Sequence, residues 1–88
     1  MVNKYEQIAE LEIDLHGYTT AEAQDVLDDL LDEGAHAHVR VIVGKGTRSF
    51  NGPVLPDFVK SYLNARNIMY RQSKIRDGGE GALEVFLK

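Results

Sequence analysis

The sequence predicts an α/β fold with the element order βαβαββ. Two short apolar segments stop at glycines, a segment with helical spacing of its apolar residues follows each, and two more strand-like segments flank a glycine-rich turn. The initial order of strand, helix and strand predicts a parallel pair of strands, because the helix carries the chain back to the starting end of the sheet. A chain of 88 residues has room for one hydrophobic core, so any activity must lie at the border of that core.

The first strand is predicted over residues 11 to 15, where apolar and polar residues alternate. We expect the three apolar side chains to face the core, and Glu12 and Asp14 to face the opposite side. The segment ends at His16 and Gly17. The first strand therefore brings a carboxylate and an imidazole to its own carboxyl end.

The first helix is predicted to begin at a capping box, in which Thr19 and Glu22 satisfy each other's free main-chain amides. Its core-facing residues follow at helical spacing: Ala23, Val26, Leu27, Leu30 and Leu31. Gly34 is expected to end this helix. The other face carries the acids Asp25, Asp28, Asp29, Asp32 and Glu33, which we interpret as a solvated surface without a catalytic role.

The second strand is predicted over residues 39 to 43, where β-branched residues dominate, and a flexible loop is expected from residue 44 to 52. The second helix is expected to begin within residues 53 to 55. Pro56 requires this start, because a proline is tolerated in the first turn of a helix and not in its interior.

Two strands over residues 68 to 75 and 82 to 87, joined by the turn at 77 to 81, complete the predicted fold as a hairpin. No internal repeat or low-complexity tract interrupts these elements. We therefore expect one domain over residues 11 to 88, preceded over residues 1 to 10 by a loosely held arm or by the end of a linker from a longer chain.

The charge of the chain is divided unevenly along its length. Residues 1 to 33 hold ten acids and one base, a net charge of −9, whereas residues 34 to 88 hold nine bases and four acids, a net charge of +5. The total of −4 argues against a protein that coats nucleic acid nonspecifically. The basic second part could still contact phosphate groups.

The composition also limits which cellular compartment and which cofactors are expected. The chain has no cysteine, which excludes disulfides and thiolate zinc sites and fits a reducing compartment. No apolar run approaches the roughly 20 residues of a membrane span, and the first residues lack the apolar region of a signal peptide. We expect a cytoplasmic protein that makes no contact with membranes.

Polar residues should converge at one edge of the sheet. The carboxyl ends of parallel strands meet at the same edge, so the segment after His16 and the loop that starts at Gly44 should be neighbours. A third strand parallel to the first two would bring Lys74 and Arg76 to the same edge. The basic surplus would then gather beside Asp14.

This edge suits a phosphodiester. Both helices begin there, and helix N-termini favour anions. Asp14 and His16 are the groups suited to proton transfer or metal binding, and we expect them to be catalytic. The expected contacts with nucleic acid or phosphate come from glycine amides, hydroxyls and cations: Gly17, Gly44, Lys45, Gly46, Arg48, Ser49, Lys74 and Arg76.

Structural roles remain open for the two catalytic candidates. Asp14 could simply accept a hydrogen bond from a loop amide, and His16 could simply orient the turn. Nucleotide hydrolysis is excluded, because Gly46 rather than Ser or Thr follows Lys45, and the P-loop pattern is absent.

Other residues with possible ligand chemistry are weaker candidates. His36 and His38 lack a firm third ligand and belong to the opposite edge of the sheet, so we interpret them as ordinary loop residues. Tyr18 and Phe50 are the better candidates for stacking on bases, whereas Tyr70 is expected to be a sheet residue.

Several segments carry a family resemblance in the right order. Ile13-Asp14-Leu15-His16-Gly17 matches an L-D-x-H-G signature, with Ile13 in place of the usual leucine, and Gly44-Lys45-Gly46 matches a later G-x-G signature. Similarity extends to Ser49, to Gly52-Pro53-Val54-Leu55 and to the closing segment Gly79-Glu80-Gly81-Ala82-Leu83-Glu84-Val85. Over about residues 11 to 88, the chain resembles the Smr (small MutS-related) domain family.

The resemblance implies a two-layer α+β sandwich, with a four-stranded mixed sheet and both helices on one face. This fold is similar to the carboxyl-terminal domain of translation initiation factor three. Family members act as endonucleases on DNA or RNA, including branched DNA and messenger RNA at collided ribosomes. Their Asp-x-His pair is associated with cleavage, so the resemblance assigns that role to Asp14 and His16.

One position departs from the family pattern. Val43 stands before the G-x-G signature, where the family usually has His or Thr. A valine side chain neither transfers a proton nor forms a hydrogen bond with a phosphate, so this position loses any polar role. The departure is consistent with an endonuclease activity that is weaker than the resemblance implies, or absent.

Three functions are therefore consistent with the sequence. The first is a structure-selective or nicking endonuclease acting on DNA or RNA, by hydrolysis or transesterification, with or without a divalent metal such as Mg²⁺ or Mn²⁺. The second is a module that binds nucleic acid or the ribosome without cutting it. The third is a protein-interaction domain that uses the acidic helix face. The oligomeric state is left open.

Overall fold

The computed structural model describes residues 9–44, 55–73 and 81–87. The elements in chain order are β1 (Leu11–Asp14), α1 (Thr20–Glu33), β2 (His38–Ile42), α2 (Leu55–Ala65), β3 (Met69–Gln72) and β4 (Ala82–Phe86). This order confirms the predicted βαβαββ arrangement. Neither of the helices in these ranges combines the length and the apolar composition that crossing a membrane requires.

The four strands form one mixed sheet in the order β1-β2-β4-β3. β1 pairs with β2 in parallel, so that Leu11 lies opposite Val39 and Asp14 opposite Ile42. β4 is antiparallel to both β2 and β3. β3 therefore runs in the same direction as β1 and β2 and ends at the same edge of the sheet. Lys74 and Arg76 themselves lie outside the described residues.

The hydrophobic core lies between one face of the sheet and both helices. The strands contribute Val39, Val41, Leu83 and Val85, and the helices contribute Ala23, Leu27, Leu30, Val59, Tyr62 and Leu63 to the same buried cluster. The alternate residues of β1, Glu12 and Asp14, are exposed, as the period of two requires. The two-layer fold with both helices on one face is thus confirmed.

The predicted capping box of α1 is present. The Thr19 side chain accepts a hydrogen bond from the Glu22 main-chain N–H at 3.1 Å, and the Glu22 carboxylate accepts one from the Thr19 N–H at 2.9 Å. Gly34 caps the other end, with a φ of 60°. Both ends of α1 therefore follow from local sequence signals.

The acidic face of α1 is not solvated throughout. The Asp28 carboxylate accepts a hydrogen bond from the Tyr62 hydroxyl and so links α1 to α2. Burial, together with this bond, raises the pKa of Tyr62 to about 12. The solvated interpretation is wrong for Asp28 and holds for the other, exposed acids of this face, Asp25, Asp29, Asp32 and Glu33.

Some predicted boundaries also need correction. β2 begins at His38, which is buried, so its interpretation as an ordinary loop residue is wrong. β3 occupies Met69–Gln72, a shorter range than predicted. α2 begins at Leu55, inside the predicted range, and Pro56 lies in its first turn, where a missing N–H leaves no helical hydrogen bond unmade.

The face of the sheet opposite the helices has a buried carboxylate near its centre. Glu84 is only 2% exposed and accepts hydrogen bonds from the His38 ring, from Arg40 Nε at 2.7 Å and from the Ser73 hydroxyl. Arg40 also lies 3.5 Å from the Glu12 carboxylate. A buried charge needs partners, and here two side chains of β2 and one from the residue after β3 supply them.

Candidate active site

The candidate site is built on the turn that follows β1. The Leu15 N–H donates to the Ile42 carbonyl at 2.7 Å and extends the pairing of β1 with β2, and the Tyr18 N–H donates to the Leu15 carbonyl at 3.0 Å. Gly17 has a φ of 83°, whereas the φ of His16 is negative. These values define a type II turn with a glycine at its third position. His16 therefore stands at the corner of a turn whose backbone is fixed.

Asp14 holds His16 at two points. Its Oδ1 accepts hydrogen bonds from the His16 main-chain N–H at 3.0 Å and from ring Nδ1 at 2.9 Å. The main-chain bond, reinforced by the ring bond, lowers the pKa of Asp14 from its ordinary value of 3.8. The carboxylate thus stays ionised at neutral pH and orients the imidazole.

The bond to Asp14 also selects the tautomer of the ring. Nδ1 donates its proton to the carboxylate, so the neutral imidazole carries its lone pair on Nε2. The His16 side chain is 71% exposed, and that of Asp14 is 55% exposed. The arrangement offers an open, oriented imidazole that can accept a proton at Nε2 and return it there.

The end of β2 lies against this turn, as predicted. A Cβ placed on Gly44 would come within 3.6 Å of the His16 Cβ, and Gly44 has a φ of 80° that favours glycine. The Val43 and Gly44 amides both donate to the Gly81 carbonyl, at 2.8 and 3.1 Å. Three segments distant in sequence therefore meet beside His16.

Gly81 is a contributor that reasoning from the sequence did not identify as part of the site. It acts through its carbonyl oxygen, which any residue type supplies, so no side-chain pattern could have indicated it. The available signal was its place in the closing segment that resembles the family.

Val43 belongs to the core and not to the site. Its side chain is 3% exposed and joins the cluster beneath the helices, whereas Asp14 projects from the open face of the sheet. Valine at this position therefore contributes burial of apolar surface.

Most of the predicted phosphate contacts lie outside the described residues. These are Lys45, Gly46, Arg48, Ser49, Lys74 and Arg76, and the stacking candidate Phe50 also lies outside them. Their roles stay predictions. Gly17 and Gly44 are described: Gly17 lies in the turn after β1, Gly44 follows the end of β2, and each has a positive φ that favours glycine.

The start of α1 is less suited to an anion than the sequence predicts. The capping box occupies the main-chain amides of Thr19 and Glu22. It also places the Glu22 carboxylate at the helix start, where that carboxylate would repel a phosphate. Binding of phosphate at this helix end is therefore not supported by the local geometry.

The described donors do not make up a metal site. Asp14 supplies one carboxylate, and its Oδ1 already accepts two hydrogen bonds from His16. Across the described ranges, no three side chains of the metal-ligating types converge.

The comparisons with known proteins identify the family of the chain. The family model of the Smr domain matches residues 13–88. An uncharacterized protein of Treponema pallidum (strain Nichols) is 33% identical over 87 residues, which cover 92% of this chain and 43% of that protein. The endonuclease MutS2 of Carboxydothermus hydrogenoformans is 36% identical over 83 residues, which cover 89% of this chain and 10% of that protein. The chain thus spans less than half of these relatives.

Solved structures show the same fold. The Smr domain of Thermus thermophilus MutS2 superposes with a TM-score of 0.73 at 28% identity, over 88% of this chain and 96% of that one. A human small-MutS related domain superposes with a TM-score of 0.69 at 28% identity, over 86% of this chain and 99% of that one. Both are single domains of about the extent described here.

Proposed function

The chain belongs to the Smr domain family, and from this premise we propose that it is a nucleic-acid endonuclease in which His16 transfers the proton and Asp14 orients it. The observation that carries the proposal is the pair of hydrogen bonds from His16 to Asp14 Oδ1. These two bonds fix the orientation of the imidazole ring and its tautomer. The endonuclease name of the MutS2 relative agrees with the proposal, although that protein is much longer.

In the proposed reaction, Nε2 of His16 removes the proton from the hydroxyl that attacks phosphorus. The new P–O bond forms as the bond to the leaving oxygen breaks, and the proton passes from His16 or from water to that oxygen. If water attacks, the result is hydrolysis. If the 2′-hydroxyl of RNA attacks, the result is a cyclic phosphate. Asp14 supports the cationic ring that forms between the two proton transfers.

Negative charge builds up on the phosphoryl oxygens during this step and needs stabilisation. We propose that the cations Lys45, Arg48, Lys74 and Arg76 supply positive charge, and that the glycine-rich loop lets main-chain amides approach the phosphate. The neighbourhood of Gly44 and His16 supports this, because it brings the first residue of that loop beside the imidazole.

A second candidate function is binding without cleavage, with nucleic acid or a ribosomal surface as the partner. One observation favours it: the Asp14 bonds to His16 also stabilise the turn, so they serve structure even without chemistry. The basic balance of residues 34 to 88 would support binding in either case.

The test is cleavage of labelled single-stranded RNA, duplex DNA and branched DNA, each with Mg²⁺, with Mn²⁺ or with a chelator. We expect His16→Ala to lower the cleavage rate by about 10²- to 10⁴-fold, the usual contribution of a general acid or base. Asp14→Asn should also lower the rate, because it no longer selects the same tautomer. Product ends with a cyclic phosphate would identify attack by the 2′-hydroxyl.

His36→Ala is the matched control, since this histidine lies before β2, at the other edge of the sheet. It should cleave like the wild type. Retained cleavage in His16→Ala would contradict the catalytic assignment. Salt-sensitive binding without any cleavage by the wild type would instead support the binding module.

A further inference from the structure

We propose that the Tyr18 ring stacks on an unpaired base next to the scissile phosphate, so that the site prefers single-stranded over duplex nucleic acid. This inference rests on the proposed function, because it names the substrate class of the same site. It assigns to Tyr18 a role in specificity rather than in proton transfer.

Tyr18 is an exposed aromatic residue at the site. Its relative exposure is 43%, and in the part of the chain that the structure describes, no ring contact or side-chain hydrogen bond involves it. Other aromatic rings are engaged: Phe58 packs near Tyr62, and Phe86 stacks on His38 with ring centroids 4.8 Å apart. The Tyr18 ring is therefore available to a ligand.

Exposure alone carries little weight, because single apolar residues are ordinary on protein surfaces. The position of Tyr18 is what distinguishes it. Its N–H closes the turn on Leu15 at 3.0 Å, and the next residue, Thr19, is the N-cap of α1. The Tyr18 backbone is thus fixed on both sides, so binding of a ligand needs to order only the side chain.

The backbone spacing between Tyr18 and His16 matches the scale of a nucleotide. Tyr18 follows His16 by two residues, so their Cα atoms are at most about 7 Å apart. A nucleic-acid strand whose phosphate faces His16 would place a neighbouring base within reach of the Tyr18 ring. Every base has a π-face, so this contact tolerates sequence and does not distinguish ribose from deoxyribose.

A duplex substrate can stack a base on Tyr18 only at the free-energy cost of disrupting its own base stacking and pairing. Its bases are already stacked and paired, so a base must be extruded before it reaches the ring. An unpaired strand exposes its base faces at no such cost. Tyr18 would therefore favour single strands, loops and branch points, in RNA as in DNA.

The experiment measures affinity for an unpaired oligonucleotide and for its duplex, as RNA and as DNA, in a His16→Ala background that leaves the ligand intact. We expect Tyr18→Ala to weaken binding of the unpaired strand by about 5- to 150-fold, as the loss of one stacked base does. Duplex binding should change by less than about twofold. Tyr18→Phe should keep the preference, because the ring is retained.

Met69→Ala is the control for removing an exposed apolar side chain. Met69 is 75% exposed and begins β3, so it lies at the edge away from His16. The chain has no tryptophan, so Tyr18→Trp adds a single fluorophore whose emission should be quenched by the unpaired strand.

The inference about Tyr18 would be overturned if Tyr18→Ala lost the same affinity for the unpaired oligonucleotide and for the duplex, or lost no affinity for either. If the wild type still cleaves in that case, the proposed endonuclease stands. If the wild type neither binds nor cleaves any of the ligands, the proposed function fails, and the inference fails with it.

Discussion

At the scale of single residues, the position of the imidazole depends on the turn glycine as much as on the carboxylate. Gly17 has a φ of 83°, in the left-handed region that L-residues with a Cβ enter only at a cost. This value lets the Tyr18 N–H reach the Leu15 carbonyl and leaves His16 at the corner. The glycine that the sequence indicated as a phosphate contact is therefore, in the structure, a conformational requirement.

The substitution Gly17→Ala should separate these two roles. We expect a loss of about 1–2 kcal/mol in the free energy of unfolding, because alanine is strained at this φ. Cleavage should fall by roughly 100-fold, because small displacements of a catalytic group have effects of that size. Thermal denaturation and single-turnover cleavage provide the two measurements.

Gly34→Ala is its control, since Gly34 also has a positive φ, of 60°, but caps the far end of α1. It should lose a similar amount of stability and keep the wild-type cleavage rate. Similar cleavage by the two variants would show that the geometry of the turn is not what positions His16.

At the scale of elements, β1, the turn and α1 form one continuous unit. β1 ends at Asp14, the turn closes at Tyr18, and the capping box starts at Thr19 without an intervening loop. The carboxylate, the imidazole and the ring of Tyr18 therefore lie on a short segment with hydrogen bonds at both ends. Sites on such segments are held more precisely than sites on long loops.

The cap contributes measurably to this unit. Thr19→Ala removes the oxygen that accepts the Glu22 N–H, and should lower the free energy of unfolding by about 1 kcal/mol. For a domain of this size, the melting temperature would fall by roughly 4–8 °C.

Thr20→Ala is the adjacent control, because Thr20 is the first helical residue and its side chain is not part of the capping box. Its effect should be much smaller, since alanine is also a better helix former than threonine. Equal losses in the two variants would contradict the importance of the cap.

At the scale of the whole molecule, the two faces of the sheet are stabilised differently. One face is covered by the helices, and the other carries the Glu84 cluster, in which donors from β2 and from the end of β3 converge on a carboxylate of β4. Arg40 extends the cluster toward Glu12 on β1. Polar contacts thus span all four strands on the face without helices.

The cluster makes stability depend on pH. Burial raises the pKa of Glu84, but the hydrogen bonds from Ser73, Arg40 and His38 outweigh it, and the pKa lies below its ordinary value of 4.5. A carboxyl with a depressed pKa stabilises the fold above the pKa it has when unfolded, and this contribution is lost as the pH falls through the folded value.

We therefore expect Glu84→Gln to cost about 1–3 kcal/mol at neutral pH, because buried donors lose a charged acceptor. The difference from the wild type should begin to shrink as the pH falls below about 4.5, where the carboxyl of the unfolded chain takes up its proton, and it should be lost as the pH falls through the lower pKa of the folded state. Denaturant unfolding between pH 3 and pH 7 gives this difference directly.

Glu12→Gln is the control on the same face, since its side chain is 55% exposed and lies 3.5 Å from Arg40. This substitution should change the free energy of unfolding by no more than about 1 kcal/mol, as for other exposed ion pairs. A Glu84→Gln variant that unfolds like Glu12→Gln at every pH would show that the buried cluster adds little.

Much of the fold and part of the site could be predicted from local patterns. The alternation in β1, the helical spacing of α1 and the pairing of Thr19 with Glu22 involve residues a few positions apart, whose relative placement is set by the element they form. The adjacency of His16 and Gly44 also followed, because parallel strands bring their carboxyl ends together. The predicted boundaries of β2 and β3 were less accurate, because a strand ends where the neighbouring strands no longer present main-chain hydrogen-bond partners.

The sequence by itself determined the order of elements, the face that β1 buries and the Asp-x-His segment at the end of β1, because each depends on spacing along the chain. Only the tertiary structure decided that the Gly81 carbonyl holds the end of β2, that Val43 is buried, and that Glu84 gathers His38 and Arg40. These contacts join residues about 40 positions apart in the chain. Their partners follow from strand order and register, which no local pattern specifies.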